Sequence, residues 1–275
     1  MKKILALFLL LIAVSYGKPL IVTTIKPVAD IISPVEGEKV EYLIPPGVSP
    51  HVYELRISQL KQAYKADLFV FLGTGEPKLT GLLESIPENK KIRIIDIPNL
   101  KLLKEEDGEI HPALWLDPDN AKIIAEYITK KLSEIDPANK EIYQQNLQKF
   151  LKQVEEVQEY GENKFNNLPD KKFISYHYAW PYFTKAFGLE YVAVIEMGHG
   201  REPTPQHLLK IIKLIKKYKI SAIFAAKQFY NPRYTRLITD QTGVKVVFLD
   251  PFGINKDYIQ MLRFNIDQIY RAKTQ

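Results

Sequence analysis

The chain has 275 residues, of which 46% are apolar, 25% charged and 11% aromatic, and its formal net charge at pH 7 is +6. These proportions are those of ordinary globular proteins, so collagen-like and wholly disordered chains are excluded. The sequence contains no cysteine. Disulfide scaffolds, thiolate nucleophiles, iron–sulfur clusters and lipids attached through an N-terminal cysteine are therefore excluded as well. Any chemistry must come from histidine, carboxylate, hydroxyl or basic side chains.

The first 17 residues have the pattern of a secretory signal peptide. Lys2 and Lys3 precede an uncharged apolar run over residues 4–14, and the small residues Ser15 and Gly17 follow it. We expect cleavage after Gly17 and a periplasmic location for the mature chain. A membrane anchor is the weaker alternative, because the apolar run would span only about 16 Å as a helix, roughly half of a hydrocarbon layer.

Short β-rich runs alternate with helical patterns along the rest of the chain, which is typical of α/β proteins with mainly parallel sheets. The strand-like runs of the first half are residues 19–24, 40–44, 66–73 and 92–97. Those of the second half are residues 171–176, 190–196, 221–226 and 245–250. Helices are expected from Ser58, from the cap at Asp117 and Pro118, from the cap at Thr204 and Pro205, and over residues 256–273.

A long polar stretch, residues 137–167, separates the two halves. Its apolar side chains form one helical stripe made of Ile142, Leu147, Phe150, Leu151, Val154 and Val157. A continuous helix of about 28 residues would reach roughly 42 Å, enough to run the height of a domain pair. We therefore predict two similar α/β lobes, residues 18–136 and 168–275, joined by one rigid helix over residues 137–167.

Candidate ligands for a metal ion stand where three predicted strands end. His51 follows the strand at 40–44, His177 follows the strand at 171–176, and Asp250 ends the strand at 245–250. Ligands of open α/β sheets gather at the carboxyl ends of the strands. A single histidine after a strand is usually a satisfied loop or core residue. The coincidence of three such residues is more informative, and we expect them to meet in a cleft between the lobes.

Two imidazoles and one carboxylate form a ligand set that suits Zn²⁺ and also Mn²⁺, iron or cobalt. Calcium is disfavoured because it requires six to eight oxygen ligands. The ligand set alone leaves the choice among these transition metals open. Glu54, three residues after His51, is a candidate acceptor for orienting the His51 ring, although a solvated glutamate is the simpler interpretation.

Five segments together resemble a known family. They are SPHVYE at 49–54, HPALWLDP at 111–118, HYAWPYFTKAFGL at 177–189, EPTPQHL at 202–208 and LDPFG at 249–253. In this order they are similar to the motifs of the metal-receptor class of solute-binding proteins, the extracytoplasmic zinc or manganese receptors of ABC importers. The resemblance covers essentially the whole mature chain.

The resemblance implies a metal held between two α/β lobes that are joined by a rigid helix. His51, His177 and Asp250 would be metal ligands, and a histidine at the place of His177, where many manganese receptors have glutamate, favours zinc. The protein would be a receptor rather than an enzyme. Its partners would be the divalent metal ion and the membrane permease of an ABC importer, and the receptor itself would be a monomer.

One position departs from the family pattern. Family members usually have histidine two residues before the tryptophan of the WLDP segment, and Ala113 stands there in this chain. His111 lies two residues earlier, which in an extended segment is the same side but displaced by roughly 6–7 Å. We hypothesise that His111 supplies the missing nitrogen. Alternatively it is a surface residue, and a water, His199 or another group of the second lobe completes the site.

Two further functions are kept as alternatives. A secreted zinc hydrolase would need an open coordination position and a general base, as in HExxH, and no such motif is present. A two-lobed receptor for an organic solute would need no metal. The lysines are spread along helix faces such as residues 210–219, which indicates solvated surfaces and no nucleic-acid partner. His207, the third residue of the helix after Thr204, is assigned a helix-terminus role.

Overall fold

The computed structural model describes residues 17–76, 79–105, 107–198 and 201–274. The predicted signal peptide lies outside these residues apart from Gly17, and so does His199. Over the described part of the chain, every helix is too short or too polar to cross a membrane.

The first half of the chain forms a four-stranded parallel sheet. Its strands are β1 (Ile21–Ile25), β2 (Glu41–Ile44), β3 (Leu68–Phe71) and β4 (Lys91–Arg93), in the order β2-β1-β3-β4. Its helices are α1 (Lys26–Glu36), α2 (Ile57–Lys65), α3 (Thr80–Ser85) and α4 (Pro118–Ile135). Every residue of β1 and β3 is buried, as expected for central parallel strands that are covered on both faces.

The second half repeats this arrangement. Its strands are β5 (Lys172–Ser175), β6 (Glu190–Val194), β7 (Ala222–Ala226) and β8 (Lys245–Leu249), in the parallel order β6-β5-β7-β8. Its helices are α6 (Pro181–Ala186), α7 (Pro205–Tyr218), α8 (Pro232–Thr242) and α9 (Tyr258–Thr274). The predicted fold class, two α/β lobes with parallel sheets and a long helix between them, is confirmed.

The long helix α5 (Lys140–Asn166) has 27 residues and packs against α1 and α4 of the first lobe and α9 of the second. A short 3₁₀ turn, Pro137–Asn139, precedes it. Its buried residues are Tyr143, Leu147, Phe150, Val154, Val157, Gly161 and Phe165. Their spacing of three and four residues defines the face that lies in a core shared by both lobes.

The structure corrects two details of the sequence prediction. Ile142, expected on the buried stripe of α5, is 47% exposed, and Tyr143 takes the inward position. The strand expected over residues 92–97 ends at Arg93, because Ile94–Asp96 forms a 3₁₀ turn in which the Ile97 N–H donates to the Ile94 carbonyl at 2.9 Å.

Candidate metal centre

A small pocket lies between the two lobes and has a cavity volume of about 80 Å³. Three imidazoles line it, and most of the other lining residues are apolar. The lining comprises Pro50, His51, Leu72, Gly75, Glu105, His111, Pro112, Ala113, Trp115, His177, Tyr178, Ala179, Gly198, Phe229, Pro251 and Phe252. The loops that follow β2, β3 and β5 contribute Pro50, Leu72 and His177 to it, at the carboxyl ends of the strands where parallel sheets place ligands. The pocket has room for an ion and a few waters.

His51 lies on the 3₁₀ turn Pro50–Val52, which follows β2. The backbone of Gly75, in the loop after β3, approaches the ring closely. A Cβ atom at Gly75 would lie 3.1 Å from His51 Cε1 and 2.8 Å from Pro112 Cβ, and Gly75 has φ +68°. Only glycine meets both conditions without strain, so this glycine allows His51 and Pro112 to approach the same point.

His177 directly follows β5, and its ring is oriented from two sides. Its Nδ1 atom is hydrogen-bonded to Oε2 of Glu196, which stands just beyond the neighbouring strand β6. The ring also stacks on Phe229, with 4.3 Å between the centroids and 25° between the planes. When Nδ1–H donates to a carboxylate, Nε2 of a neutral imidazole keeps its lone pair. This carboxylate–histidine arrangement is the one that commonly orients a metal-ligating histidine.

His111 is buried, with only 2% of its surface exposed. Its Nε2 atom lies 2.8 Å from the Tyr178 carbonyl, and its Nδ1 atom accepts a hydrogen bond from the Ala113 N–H at 3.3 Å. Burial, aided by repulsion from His177 and His51, lowers the pKa of His111 to about 4, although the Tyr178 carbonyl opposes the shift. The imidazole is therefore neutral at physiological pH, with both of its nitrogens in hydrogen bonds within the protein.

Asp250 follows β8, and the buried Asn265 of α9 holds its backbone. The Asp250 N–H donates to Asn265 Oδ1, and Asn265 Nδ2 donates to the Asp250 carbonyl, both at 2.8 Å. The carboxylate turns toward its own loop, where Oδ1 accepts from the Phe252 N–H at 3.1 Å and Oδ2 is paired with Lys256 Nζ at 3.1 Å. Asp250 is thus held at the base of the loop whose next two residues line the pocket.

The structure brings some of the predicted ligands together and keeps one apart. His51, His111 and His177 all line the pocket, whereas Asp250 does not, although Pro251 and Phe252 do. Across residues 17–76, 79–105, 107–198 and 201–274, no three histidine, aspartate or glutamate side chains are arranged so that they could hold one ion. The side chains of both His111 and Asp250 are instead hydrogen-bonded within the protein.

His207 lies at the first turn of α7, as its helix-terminus assignment predicts. Its N–H donates to the Thr204 hydroxyl at 3.2 Å, and its Nε2 atom lies 2.8 Å from the Val194 carbonyl. This histidine therefore links the N-terminus of α7 to the end of β6.

Sequence reasoning missed four residues that shape the site, namely Glu196, Phe229, Lys256 and Asn265. Glu196 carries a usable signal, because it follows a strand that neighbours the strand before His177. Phe229 also follows a strand, β7, by three residues. The roles of Lys256 and Asn265 depend on how the loop after β8 folds back on α9, and nothing in the local pattern indicates this.

Comparison with known proteins agrees with this architecture. The family model of ZnuA, described as zinc-uptake complex component A, periplasmic, matches residues 21–272. The manganese ABC transporter substrate-binding lipoprotein PsaA of Streptococcus mitis is 28% identical over 94% of this chain and 90% of its own. A crystal structure of ZnuA superposes with a TM-score of 0.85 at 28% identity, covering 94% of this chain and 100% of the other. A zinc-bound ZnuA variant that lacks residues 138–173 of its own numbering gives a TM-score of 0.81 at 26% identity, covering 94% and 99%.

Two parallel-sheet lobes, a shared long helix and a pocket between the lobes define a two-lobed solute-binding protein. More particularly, the chain belongs to the ZnuA family. This family consists of solute-binding proteins of ABC transporters, so the protein is a receptor and not an enzyme.

Proposed function

We propose that this protein captures a divalent transition metal, zinc in preference to manganese, outside the cytoplasm and delivers it to the permease of an ABC importer. The supporting observation is the meeting of His51, His111 and His177 around one pocket of about 80 Å³. These residues come from both lobes, so an ion held by them would bridge the lobes. The secretory pattern of the first 17 residues favours export to the periplasm.

The proposed ligands are His51, His177 and Asp250, with His111 as the fourth. His177 is the best prepared, because Glu196 engages Nδ1 and leaves the lone pair of Nε2 for a metal. His111 would exchange its hydrogen bond to the Tyr178 carbonyl for the metal. Asp250 would leave Lys256. His111 lines the pocket two residues before Ala113, which occupies the place where the family pattern has histidine, and this supports its role.

The ligand chemistry favours zinc over manganese. Neutral imidazole suits zinc, whereas manganese prefers carboxylate, carbonyl and water oxygens and binds nitrogen ligands most weakly among the divalent first-row metals. Three imidazoles line this pocket, and Asp250, the carboxylate predicted as a ligand, is paired with a lysine. The family is described by zinc uptake, while the relative from Streptococcus mitis is named for manganese. The donors of this chain support zinc as the preferred cargo.

An organic solute fits the pocket poorly. Sites for small organic ligands usually have volumes of about 300–1,000 Å³, and this pocket has about 80 Å³. A larger groove of about 1,210 Å³ is lined entirely by residues between 51 and 135, so it belongs to the first lobe alone. The pocket lined by the three histidines lies between the lobes, where a two-lobed receptor holds its solute.

The test is to measure bound metal and metal affinity. Protein purified without added metal is analysed for its elements, and Zn²⁺ and Mn²⁺ affinities are then measured by chelator competition. We expect zinc at one ion per chain, and His51→Ala and His177→Ala should each weaken zinc binding by about a hundredfold or more. His111→Ala should weaken it measurably.

His207→Ala is the matched control, because this histidine bonds the Val194 carbonyl and α7. It should bind zinc like the unaltered chain. A preparation that binds neither metal near neutral pH contradicts the proposal. An unchanged zinc affinity for His111→Ala removes only His111 from the site.

A further inference from the structure

The ammonium group of Lys256 is held against the Asp250 carboxylate in a nearly closed environment. Lys256 Nζ lies 3.1 Å from Asp250 Oδ2 and donates to the Ile254 carbonyl at 3.0 Å. It also lies 4.4 Å from the centroid of the Phe264 ring. The Asp250 side chain is only 9% exposed and that of Lys256 27%. The ammonium is therefore bound by an anion, a carbonyl and an aromatic face, which together form a complete cation-binding set.

Both oxygens of Asp250 are occupied in this arrangement. Oδ1 accepts from the Phe252 N–H at 3.1 Å while Oδ2 is paired with Lys256. The two hydrogen bonds to Asn265 fix the backbone behind the carboxylate. A metal ion that uses Asp250 must therefore replace the ammonium, and separating a largely buried ion pair is unfavourable unless a new partner compensates for it.

The position of Lys256 is itself fixed from the first lobe. Lys26 of α1 donates to the Lys256 carbonyl at 2.5 Å and is also paired with Asp30. Gly253, with φ +66°, lets the loop approach, since a Cβ atom there would lie 3.1 Å from the Lys256 carbonyl oxygen and 3.3 Å from Asp30 Oδ2. Lys256 is thus not a mobile surface lysine, because contacts between the lobes anchor its backbone beside Asp250.

We propose that Lys256 determines metal specificity by competing with the cargo ion for Asp250. This inference rests on the proposed function and adds to it the residue by which the protein discriminates zinc from manganese. Zinc binds imidazole nitrogen strongly, so the three imidazoles would supply most of its affinity and the Asp250 carboxylate a smaller share. Manganese depends more on oxygen ligands, so it would draw more of its affinity from Asp250, which it gains only by displacing Lys256. The internal ion pair therefore weakens manganese binding more than zinc binding.

The experiment is a double-mutant cycle with two metals. Zn²⁺ and Mn²⁺ affinities are measured at one pH and ionic strength for the unaltered chain, Lys256→Met, Asp250→Asn and the double variant. Lys256→Met should strengthen Mn²⁺ binding by about tenfold or more and Zn²⁺ binding by less than about threefold. Adding Asp250→Asn to Lys256→Met should abolish the gain for Mn²⁺. The electron paramagnetic resonance spectrum of bound Mn²⁺ should show a carboxylate ligand in the unaltered chain and in Lys256→Met, and Asp250→Asn should remove it.

Further variants separate the effect of the contact between Lys256 and Asp250 from the effects of charge and of folding. Lys227→Met removes one positive charge from the same lobe, just after β7, and should change the ratio of the two affinities by less than about twofold. Lys256→Arg keeps the charge and should retain the original ratio. If Lys256→Met disrupts the fold, as judged by circular dichroism, Lys256→Gln replaces it in the cycle. Asp250→Asn alone should also weaken Mn²⁺ binding more than Zn²⁺ binding.

The role of Lys256 is overturned if Lys256→Met changes the Zn²⁺ and Mn²⁺ affinities equally, or if it changes their ratio no more than Lys227→Met does. Either result leaves the receptor function intact. Failure of the unaltered chain to bind either metal instead contradicts the proposed function. The two failures are thereby distinguished.

Discussion

The indole nitrogen of Trp115 donates a hydrogen bond to the backbone carbonyl of Pro251 at 2.7 Å. Tyr258 of α9 returns the contact, because its hydroxyl donates to the Trp115 carbonyl at 2.8 Å. Trp115 belongs to the segment before α4 and Pro251 to the loop after β8, so these buried bonds join the two lobes beside the histidine pocket. They fix the distance between the segment that carries His111 and the loop that carries Asp250.

Trp115→Phe should destabilise the protein, because it leaves the buried Pro251 carbonyl without its donor. We expect the free energy of unfolding to fall by about 1–3 kcal/mol beyond the effect of reduced side-chain volume. Tyr258→Phe removes only a hydroxyl and should reduce it by about 1–2 kcal/mol. Denaturant unfolding measures both. Stability equal to that of the unaltered chain in both variants would show that these bonds do not hold the lobes together.

Glu196→Gln should weaken zinc binding by about 10–100-fold. The amide would orient the His177 ring less strongly, and the substitution removes the negative charge that makes His177 Nε2 a better ligand. Glu190→Gln is the control: it lies at the other end of β6, and its side chain is 65% exposed. Chelator competition gives both affinities. Equal affinities for the two variants would mean that Glu196 has no part in binding.

Gly75→Ala should reduce both stability and zinc affinity. The new methyl group would meet Pro112 and His51, and φ +68° is strained for alanine, so the free energy of unfolding should fall by about 1–3 kcal/mol. Gly188→Ala is a matched control, because Gly188 has φ +63° and open space around its Cβ position. It should lose stability from backbone strain alone and bind zinc normally. A normal zinc affinity for Gly75→Ala would count against His51 as a ligand.

The metal-free protein should lose stability as the pH falls from about 6.5 to about 4. Burial lowers the pKa of His111 from 6.5 to about 4 in the folded state. In this range the unfolded chain binds a proton at His111 and the folded chain does not, so acid favours unfolding. His111→Gln should remove this contribution. The test is to measure the free energy of unfolding at pH 7.5 and pH 4.5 for the unaltered chain and for His111→Gln. The same pH dependence in the two proteins would refute the contribution of His111.

Much of the fold could be predicted because the apolar pattern is local. The runs that became β3 and β7 are continuously apolar, as is typical of buried parallel strands. The caps at Asp117 and Thr204 begin α4 and α7 as expected. On α5, Leu147, Phe150, Val154 and Val157 are buried as predicted, and only the first position of the stripe was wrong. Tyr143 lies four residues before Leu147 and fits the helical period better than Ile142, which lies five residues before it.

The candidate site was less predictable, because its geometry depends on contacts far apart in the sequence. Strand ends predicted the meeting of His51 and His177. The pairing of Asp250 with Lys256 instead of with the histidines could not be seen, since it requires Lys26, more than two hundred residues earlier, to fix the Lys256 backbone. In the same way, the engagement of His111 by the Tyr178 carbonyl depends on the second lobe.

Helix α5 is embedded in the packing of both halves, and at Gly161 a Cβ atom would lie only 2.4 Å from Phe187 Cε1 and 2.9 Å from Ile266 Cδ1. A helix packed so tightly is poorly suited to act as a flexible hinge, because a large rotation of one lobe would break the core packing on one side of the helix. We therefore expect the two lobes to move little when the ion binds. The surface offered to the permease should then differ only locally between the empty and the filled protein.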